Sequence, residues 1–189
     1  QGCNLNCGSK SGAWTCDTVD VWKKGSVYSI EDAYRCLINT YTDSLSKGAH
    51  LIITGGEPLL QQDAIIKLLE MFDIPLFVEI ETNGTIRPKD QLLKLTAQWN
   101  VSPKLSNCGE PLAKRKCNDV LNFFSNHSNV IYKIVISNIA DVNEINVEFL
   151  FLEQVPINKK FLMPAAETKN ELHELYPKVI DLAKKYGFT

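Results

Sequence analysis

Two periods of apolar residues divide the chain. Ser29-Ile30-Glu31-Asp32 reads as a helix N-cap followed by an acidic first turn. Apolar residues then recur at Ile30, Ala33, Tyr34, Leu37, Ile38, Tyr41 and Leu45, the spacing of an amphipathic helix. The next run, His50-Leu51-Ile52-Ile53-Thr54, is short and β-branched, so it predicts a buried strand. It stops at Gly55-Gly56-Glu57-Pro58, and a second helical pattern follows through Ile65, Ile66, Leu69 and Phe72.

The same unit repeats along the chain. Strands are predicted at residues 75–82, 99–102, 130–137 and 161–163, and helices at 89–95, 114–125, 141–154 and 168–186. Pro177 is expected to kink the last helix or to start a second one within it. Strands alternating with helices at this spacing predict parallel βαβ units, hence an α/β fold. A chain of 189 residues with five visible strands suits a partial (β/α) barrel rather than a closed eight-stranded one. One domain over residues 1–189 is expected, with a first strand upstream and a further C-terminal segment outside this sequence.

Composition narrows the function. Apolar residues make up 44% and charged residues 22%, and the formal net charge of −2 gives no general attraction to nucleic acid or anionic lipid. The densest basic run, Lys114-Arg115-Lys116, reads as a solvated helix face. No apolar run approaches the roughly 20 residues needed to span a bilayer, and no signal peptide is visible, so a cytoplasmic location is expected. In a reducing compartment clustered cysteines point to metal binding rather than to a disulfide frame.

Three of the six cysteines are so clustered. Cys3, Cys7 and Cys16 form a C-x3-C-x8-C pattern in a polar, Gly- and Ser-containing loop. No histidine lies at zinc-ligand spacing, and a structural zinc site wants four closed ligands. Three thiolates on a cubane iron–sulfur cluster would leave one iron open to a chelating small molecule. A disulfide with a spare thiol and a zinc knuckle lacking its fourth ligand are the other readings.

In parallel α/β folds ligands gather at the carboxyl ends of strands. The unusual residues lie there: Thr54-Gly55-Gly56-Glu57-Pro58, Glu81-Thr82-Asn83-Gly84-Thr85, Ser102-Pro103-Lys104 and Met163-Pro164-Ala165-Ala166. Four such ends describe an extended site for a large ligand or for two ligands side by side.

With the cysteine loop, Gly55-Gly56-Glu57-Pro58 resembles the signature of the radical S-adenosylmethionine (SAM) superfamily. Cys3-Asn4-Leu5, Cys16-Asp17-Thr18, Thr54, Glu81-Thr82-Asn83-Gly84-Thr85 and Val101-Ser102-Pro103-Lys104 are similar to the 7-carboxy-7-deazaguanine synthase family. That resemblance implies a radical SAM lyase. It would convert 6-carboxy-5,6,7,8-tetrahydropterin to 7-carboxy-7-deazaguanine with loss of ammonia, supplying 7-deazaguanine or queuosine synthesis. The implied cofactors are a [4Fe-4S] cluster on Cys3, Cys7 and Cys16, SAM, and Mg2+ held by Thr18. For SAM the resemblance implies Thr15, Cys16, Asp17, Gly56, Glu57, Asn83, Ser102, Pro103, Lys104, Met163, Pro164, Ala165 and Ala166. For the pterin it implies Thr54 and Glu81. A flavodoxin or ferredoxin as reductant and a homodimer are implied as well.

The sequence departs from the family at the cysteine loop. Eight residues separate the second and third cysteines where the superfamily usually has two, and Ala13 stands three before Cys16. The Gly and Ser content of the insertion suits a longer loop that returns the thiols to one point. The alternatives are another radical SAM enzyme, such as a glycyl-radical activating enzyme acting on a partner protein, and a non-enzymatic zinc-binding module. Cys108 and Cys117 read as ordinary thiols rather than an auxiliary metal pair. Cys36 reads as a packing residue of the first helix, and the three histidines as surface or packing residues.

Overall fold

The alternation of strand and helix is present along the chain in the computed structural model, which describes residues 2–8 and 12–189. The chain divides into two compact units. The first comprises Gln1–Asn4, Thr18–Thr82 and Arg87–Trp99; the second comprises Leu5–Asp17, Asn83–Ile86 and Asn100–Thr189. All five predicted strands form and are flanked by helices.

The first unit contains a short helix α1 (Val19–Lys23), absent from the sequence expectation, then α2 (Ile30–Ser46) and β1 (His50–Ile53). A 3-10 turn at Pro58–Gln61 leads into α3 (Gln62–Glu70), followed by β2 (Phe77–Thr82), α4 (Asp90–Leu95) and the start of β3 (Gln98–Val101). The Ser29 hydroxyl accepts the Asp32 N–H, making the predicted N-cap of α2. β1 and β2 are parallel, with His50 opposite Phe77 and Ile53 opposite Ile80. Val78 and Ile80 point into a core shared with Ile65, Ile66, Leu69, Leu92 and Trp99, all buried. Each such aliphatic side chain contributes roughly 1.5–3 kcal/mol when removed from water. Along α2 only Leu45 is buried, and Cys36 is exposed. The packing role expected for Cys36 is therefore corrected: it lies off the helix's apolar stripe.

The second unit takes the end of β3, then a 3-10 turn at Ser106–Cys108, α5 (Leu112–Arg115), α6 (Asn118–Ser125) and β4 (Val130–Ile136). It continues with α7 (Ile139–Glu148), 3-10 turns at Leu150–Gln154 and Ile157–Lys159, β5 (Lys160–Pro164) and α8 (Lys169–Tyr186). β4 and β5 are parallel, with Tyr132 opposite Lys160 and Ile136 opposite Pro164. Val130, Tyr132, Ile134 and Ile136 are buried on alternate positions of β4, over a core that includes Leu121, Phe124, Ile145 and Phe149.

Three helices differ from the sequence expectation, each for a local reason. The predicted helix over 114–125 is two, because Lys116 and Cys117 are extended. The break lets Arg115 turn inward. The helix expected over 141–154 starts at Ile139 under a capping box from Asn138 and Asp141 and ends at Glu148, where Phe149 turns into the core. Helix α8 runs through Pro177 without a second start. Pro177 and His173, four residues before it, are both exposed, so the carbonyl that loses its N–H partner faces water.

Candidate active site

In the first unit the end of β1 folds back on the first cysteine. The Glu57 N–H donates to the Gly2 carbonyl at 2.9 Å. A Cβ on Gly56 would stand 2.0 Å from that oxygen and 3.0 Å from the Cys3 Cβ, so only glycine fits. The glycine expected to admit a ligand thus also admits the Gly2 backbone and the Cys3 Cβ. Glu57 itself is buried, and its Oε1 accepts the Leu59 N–H at 3.0 Å and the Thr82 hydroxyl at 2.8 Å. Its carboxylate caps the Pro58–Gln61 turn and ties it to the end of β2. Beside it the Thr54 hydroxyl donates to Glu81 Oε2 at 3.2 Å, joining the two residues expected to face the pterin. Thr18 heads α1 at the N-cap position.

One step back along the same strands, His50 Nδ1 meets Glu79 Oε1 at 2.5 Å, and Gln98 Nε2 donates to Glu79 Oε2 at 3.0 Å. The His50 ring stacks on Phe77 with centroids 4.0 Å apart. This agrees with the surface or packing role expected for His50, whose side chain is 47% exposed.

In the second unit the rest of the cysteine loop lies along the Ser106–Cys108 turn. The Gly8 N–H donates to the Cys108 carbonyl at 2.9 Å and the Ala13 N–H to the Asn107 carbonyl at 2.7 Å. Trp14 Nε1 donates to Asn107 Oδ1 at 3.1 Å, while the Asn107 amide donates to the Val135 carbonyl and to Asp141 Oδ2. Asn6 N–H donates to Glu110 Oε1, and Thr15 N–H to Glu167 Oε1 at 2.7 Å. The last bond carries Thr15, next to Cys16, to the turn that follows β5, where Ala165 N–H is bonded to the Ile136 carbonyl. Of the inserted residues, Ser9, Lys10 and Ser11 lie outside the described ones.

The Cys7 thiol donates a hydrogen bond to Cys108. That bond, then burial, pushes the Cys7 thiol well above the ordinary range. The same bond draws Cys108 down to about 7, helped by a backbone donor at Glu110 and the charges of Arg115 and Lys104. Cys16 is close enough to act on Cys7 through its charge. Among the described residues no group of three or more His, Cys, Asp or Glu side chains is arranged to hold one metal ion. The donor set nevertheless fits an iron–sulfur cluster in kind, being soft thiols on a loop with two of them within electrostatic reach.

Lys104 Nζ donates to Ser102 Oγ at 2.8 Å and stands 5.7 Å over the Trp14 ring. Ser102 and Lys104, both expected at SAM, are thus bonded to each other, and Lys104 also meets the cysteine loop at Trp14. Asn83 Oδ1 accepts the Thr85 N–H and hydroxyl, closing the turn after β2.

Sequence reasoning missed the residues beneath this arrangement. Arg115 is buried, pairs with Glu144 at 2.7 Å and donates to the carbonyls of Glu110 and Lys104. Lys114 and Lys116 pair with Glu110 and Glu148. The basic run read as a solvated face is therefore a set of ion pairs, of which Lys114 and Arg115 also hold the 104–110 segment. Asn107 gave no sequence signal, since its partners are distant in the chain. Cys108 is buried against Cys7, while Cys117 heads α6.

The architecture has relatives among solved structures. QueE from Escherichia coli superposes with a TM-score of 0.63 at 19% identity, covering all of this chain and 80% of that one. Streptococcus suis SuiB bound to S-adenosylmethionine gives 0.56 at 18% identity, covering 97% of this chain and 42% of that one. These likenesses define the fold: five parallel strands flanked by helices, as in radical SAM proteins. No family model matches the chain.

Sequence relatives define the family. The 7-carboxy-7-deazaguanine synthase of Hyperthermus butylicus is 30% identical over 192 residues, covering 98% of this chain and 76% of that protein. Those of Pyrobaculum aerophilum and Halobacterium salinarum are 34% and 28% identical, covering 77% and 100% of this chain. The Pyrobaculum match spans 63% of that protein's length. The chain belongs to the 7-carboxy-7-deazaguanine synthase family of the radical SAM superfamily, a family of enzymes whose cofactors are SAM and a [4Fe-4S] cluster.

Proposed function

We infer that the protein is a radical SAM lyase that converts 6-carboxy-5,6,7,8-tetrahydropterin to 7-carboxy-7-deazaguanine and ammonia. The observation that carries this is the similarity to the Hyperthermus butylicus synthase across 98% of the chain. When bound, the cluster and SAM supply the one-electron reduction and the hydrogen abstraction that no side chain can perform.

The chain's own residues would hold and orient. Cys3, Cys7 and Cys16 would carry the cluster, with Cys3 fixed by the Gly2–Glu57 contact. SAM would lie along Thr15, Cys16, Asp17, Gly56, Asn83, Ser102, Pro103, Lys104 and the Met163–Ala166 turn. Glu57 would belong to the same set, its Oε1 already accepting the Leu59 N–H and the Thr82 hydroxyl. Thr54, its proton committed to Glu81, presents oxygen lone pairs to a pterin N–H. Glu81 would accept a second N–H of the same ring. Thr18 supplies a hard oxygen ligand for Mg2+, which would bind the substrate carboxylate. The chain would act as a single radical SAM domain and, in the cell, as a cytoplasmic homodimer reduced by a flavodoxin or ferredoxin. Among the described residues no helix is long and apolar enough to cross a membrane.

The reading is tested by ammonia release from anaerobically reconstituted protein given SAM, Mg2+ and reductant. Release is expected only when the carboxypterin is added as well. Cleavage of SAM without ammonia in the presence of the carboxypterin would reject this substrate.

A further inference from the structure

Cys108 is the one buried thiol that the proposed activity does not use. It lies at the carboxyl end of the Ser106–Cys108 turn with no side-chain exposure. Its partner is Cys7, at the start of the long gap in the cysteine loop, and the two thiols share a hydrogen bond. Sulfur is a weak donor and a weak acceptor, so this bond alone does not hold the loop in place.

The backbone does. Gly8, which follows Cys7, donates its N–H to the Cys108 carbonyl, and Ala13 donates to the neighbouring Asn107 carbonyl. Glycine permits the approach: a Cβ on Gly12 would stand 3.0 Å from the Cys108 oxygen and 2.8 Å from the Gly8 Cα. Two backbone rungs and a glycine contact therefore fix the segment carrying Cys7 against the segment carrying Cys108. A disulfide requires α-carbons roughly 4.4–6.8 Å apart. The backbone hydrogen bond from Gly8, next to Cys7, to the Cys108 carbonyl brings the two residues side by side and favours that span.

Other pairings lack this support. Cys36 is exposed on α2, Cys117 stands at the head of α6, and Cys16 acts on Cys7 through its charge.

We propose that Cys7 and Cys108 form a reversible disulfide, which makes Cys108 a thiol-modification site acting on the cysteine loop, with a small-molecule disulfide such as oxidised glutathione as the co-reactant. One thiol attacks the small disulfide, giving a mixed disulfide and releasing one reduced thiol. The second protein thiol then attacks the protein-side sulfur, closing Cys7–Cys108 and releasing the other reduced thiol. The protein dithiol loses two electrons and two protons, and the small disulfide takes up both. A dithiol reductant reverses the change.

A bonded Cys7 cannot ligate iron. That consequence rests on the proposed cluster site, so the disulfide is tested first on cluster-free protein, where failure of the cluster reading has no effect. The full-length apo protein is equilibrated anaerobically with mixtures of reduced and oxidised glutathione, quenched by alkylation and mapped as non-reduced peptides. A linked Cys7–Cys108 peptide is expected in the wild type and in Cys3→Ser, and absent in Cys108→Ser, whose far-ultraviolet dichroism checks that it folds. Cys7 linked to Cys3 or Cys16, or a glutathione adduct with Cys108 still alkylated, would overturn the proposal. In a second measurement the oxidised protein should take up less iron than the reduced protein, with recovery after dithiol treatment. Equal iron uptake by a protein shown to hold the disulfide would reject Cys7 as a ligand while leaving the disulfide in place.

Discussion

The carbonyl of Gly2 and the backbone N–H of Glu57 are joined by a hydrogen bond of 2.9 Å, and the intervening Gly56 has no room for a side chain. This contact binds the first cysteine to the end of β1. The Gly-Gly-Glu sequence therefore shapes the cysteine loop as well as any ligand it meets.

Gly56→Ala should force the Gly2–Cys3 backbone away. Overpacking of this kind costs about 1–3 kcal/mol. Chemical denaturation measures that loss, and titration with SAM should show weaker binding by the reconstituted variant. An unchanged denaturation midpoint would contradict the contact.

Glu57 separates capping from charge. Glu57→Gln retains an oxygen for Leu59 and Thr82, whereas Glu57→Ala leaves both donors without that acceptor, at about 1–3 kcal/mol. The alanine variant should unfold at lower denaturant than the glutamine variant. Equal midpoints would assign Glu57 to another task.

Asn107→Ala removes the bonds to Trp14, Val135 and Asp141 together. Amide exchange at Gly8 and Ala13 should accelerate in this variant while exchange in β4 stays slow. Trp14 fluorescence should shift to the red as its ring gains water.

The pair of Arg115 and Glu144 is nearly buried, with side-chain exposures of 6% and 13%. Breaking a buried pair by removing one partner costs about 3–5 kcal/mol. Arg115→Met should lose stability of that order, and adding Glu144→Gln should restore part of it.

Glu171 gives a pH test with a defined sign. The backbone N–H groups of Glu167 and Thr168 hold its carboxyl below the usual glutamate range. A depressed folded-state pKa favours the folded form above the unfolded pKa, and that contribution is lost as pH falls through the folded pKa. The start of α8 should therefore fray in acid, seen as loss of amide protection at Glu167 and Thr168. Glu171→Gln should remove the pH dependence.

The strands and most helices were legible because their apolar periods are local. Thr54 and Glu81 could be paired from strand ends alone, since parallel strands bring their carboxyl ends side by side. Arg115 could not be placed, because a charged residue's burial depends on Glu144 and on carbonyls brought near only by folding. Cys108 was legible as a cysteine but not as the partner of Cys7, a contact set by the path of the loop. Helix breaks at Lys116 and Phe149 follow from side chains turning into the core, which overrides local propensity.

The most direct measurement is mass spectrometry of the small molecules formed by anaerobically reconstituted protein with SAM, Mg2+, reductant and 6-carboxy-5,6,7,8-tetrahydropterin. The account predicts 7-carboxy-7-deazaguanine together with 5′-deoxyadenosine, both lost in Cys16→Ala. A fully loaded protein that cleaves SAM and leaves the carboxypterin unchanged would contradict it.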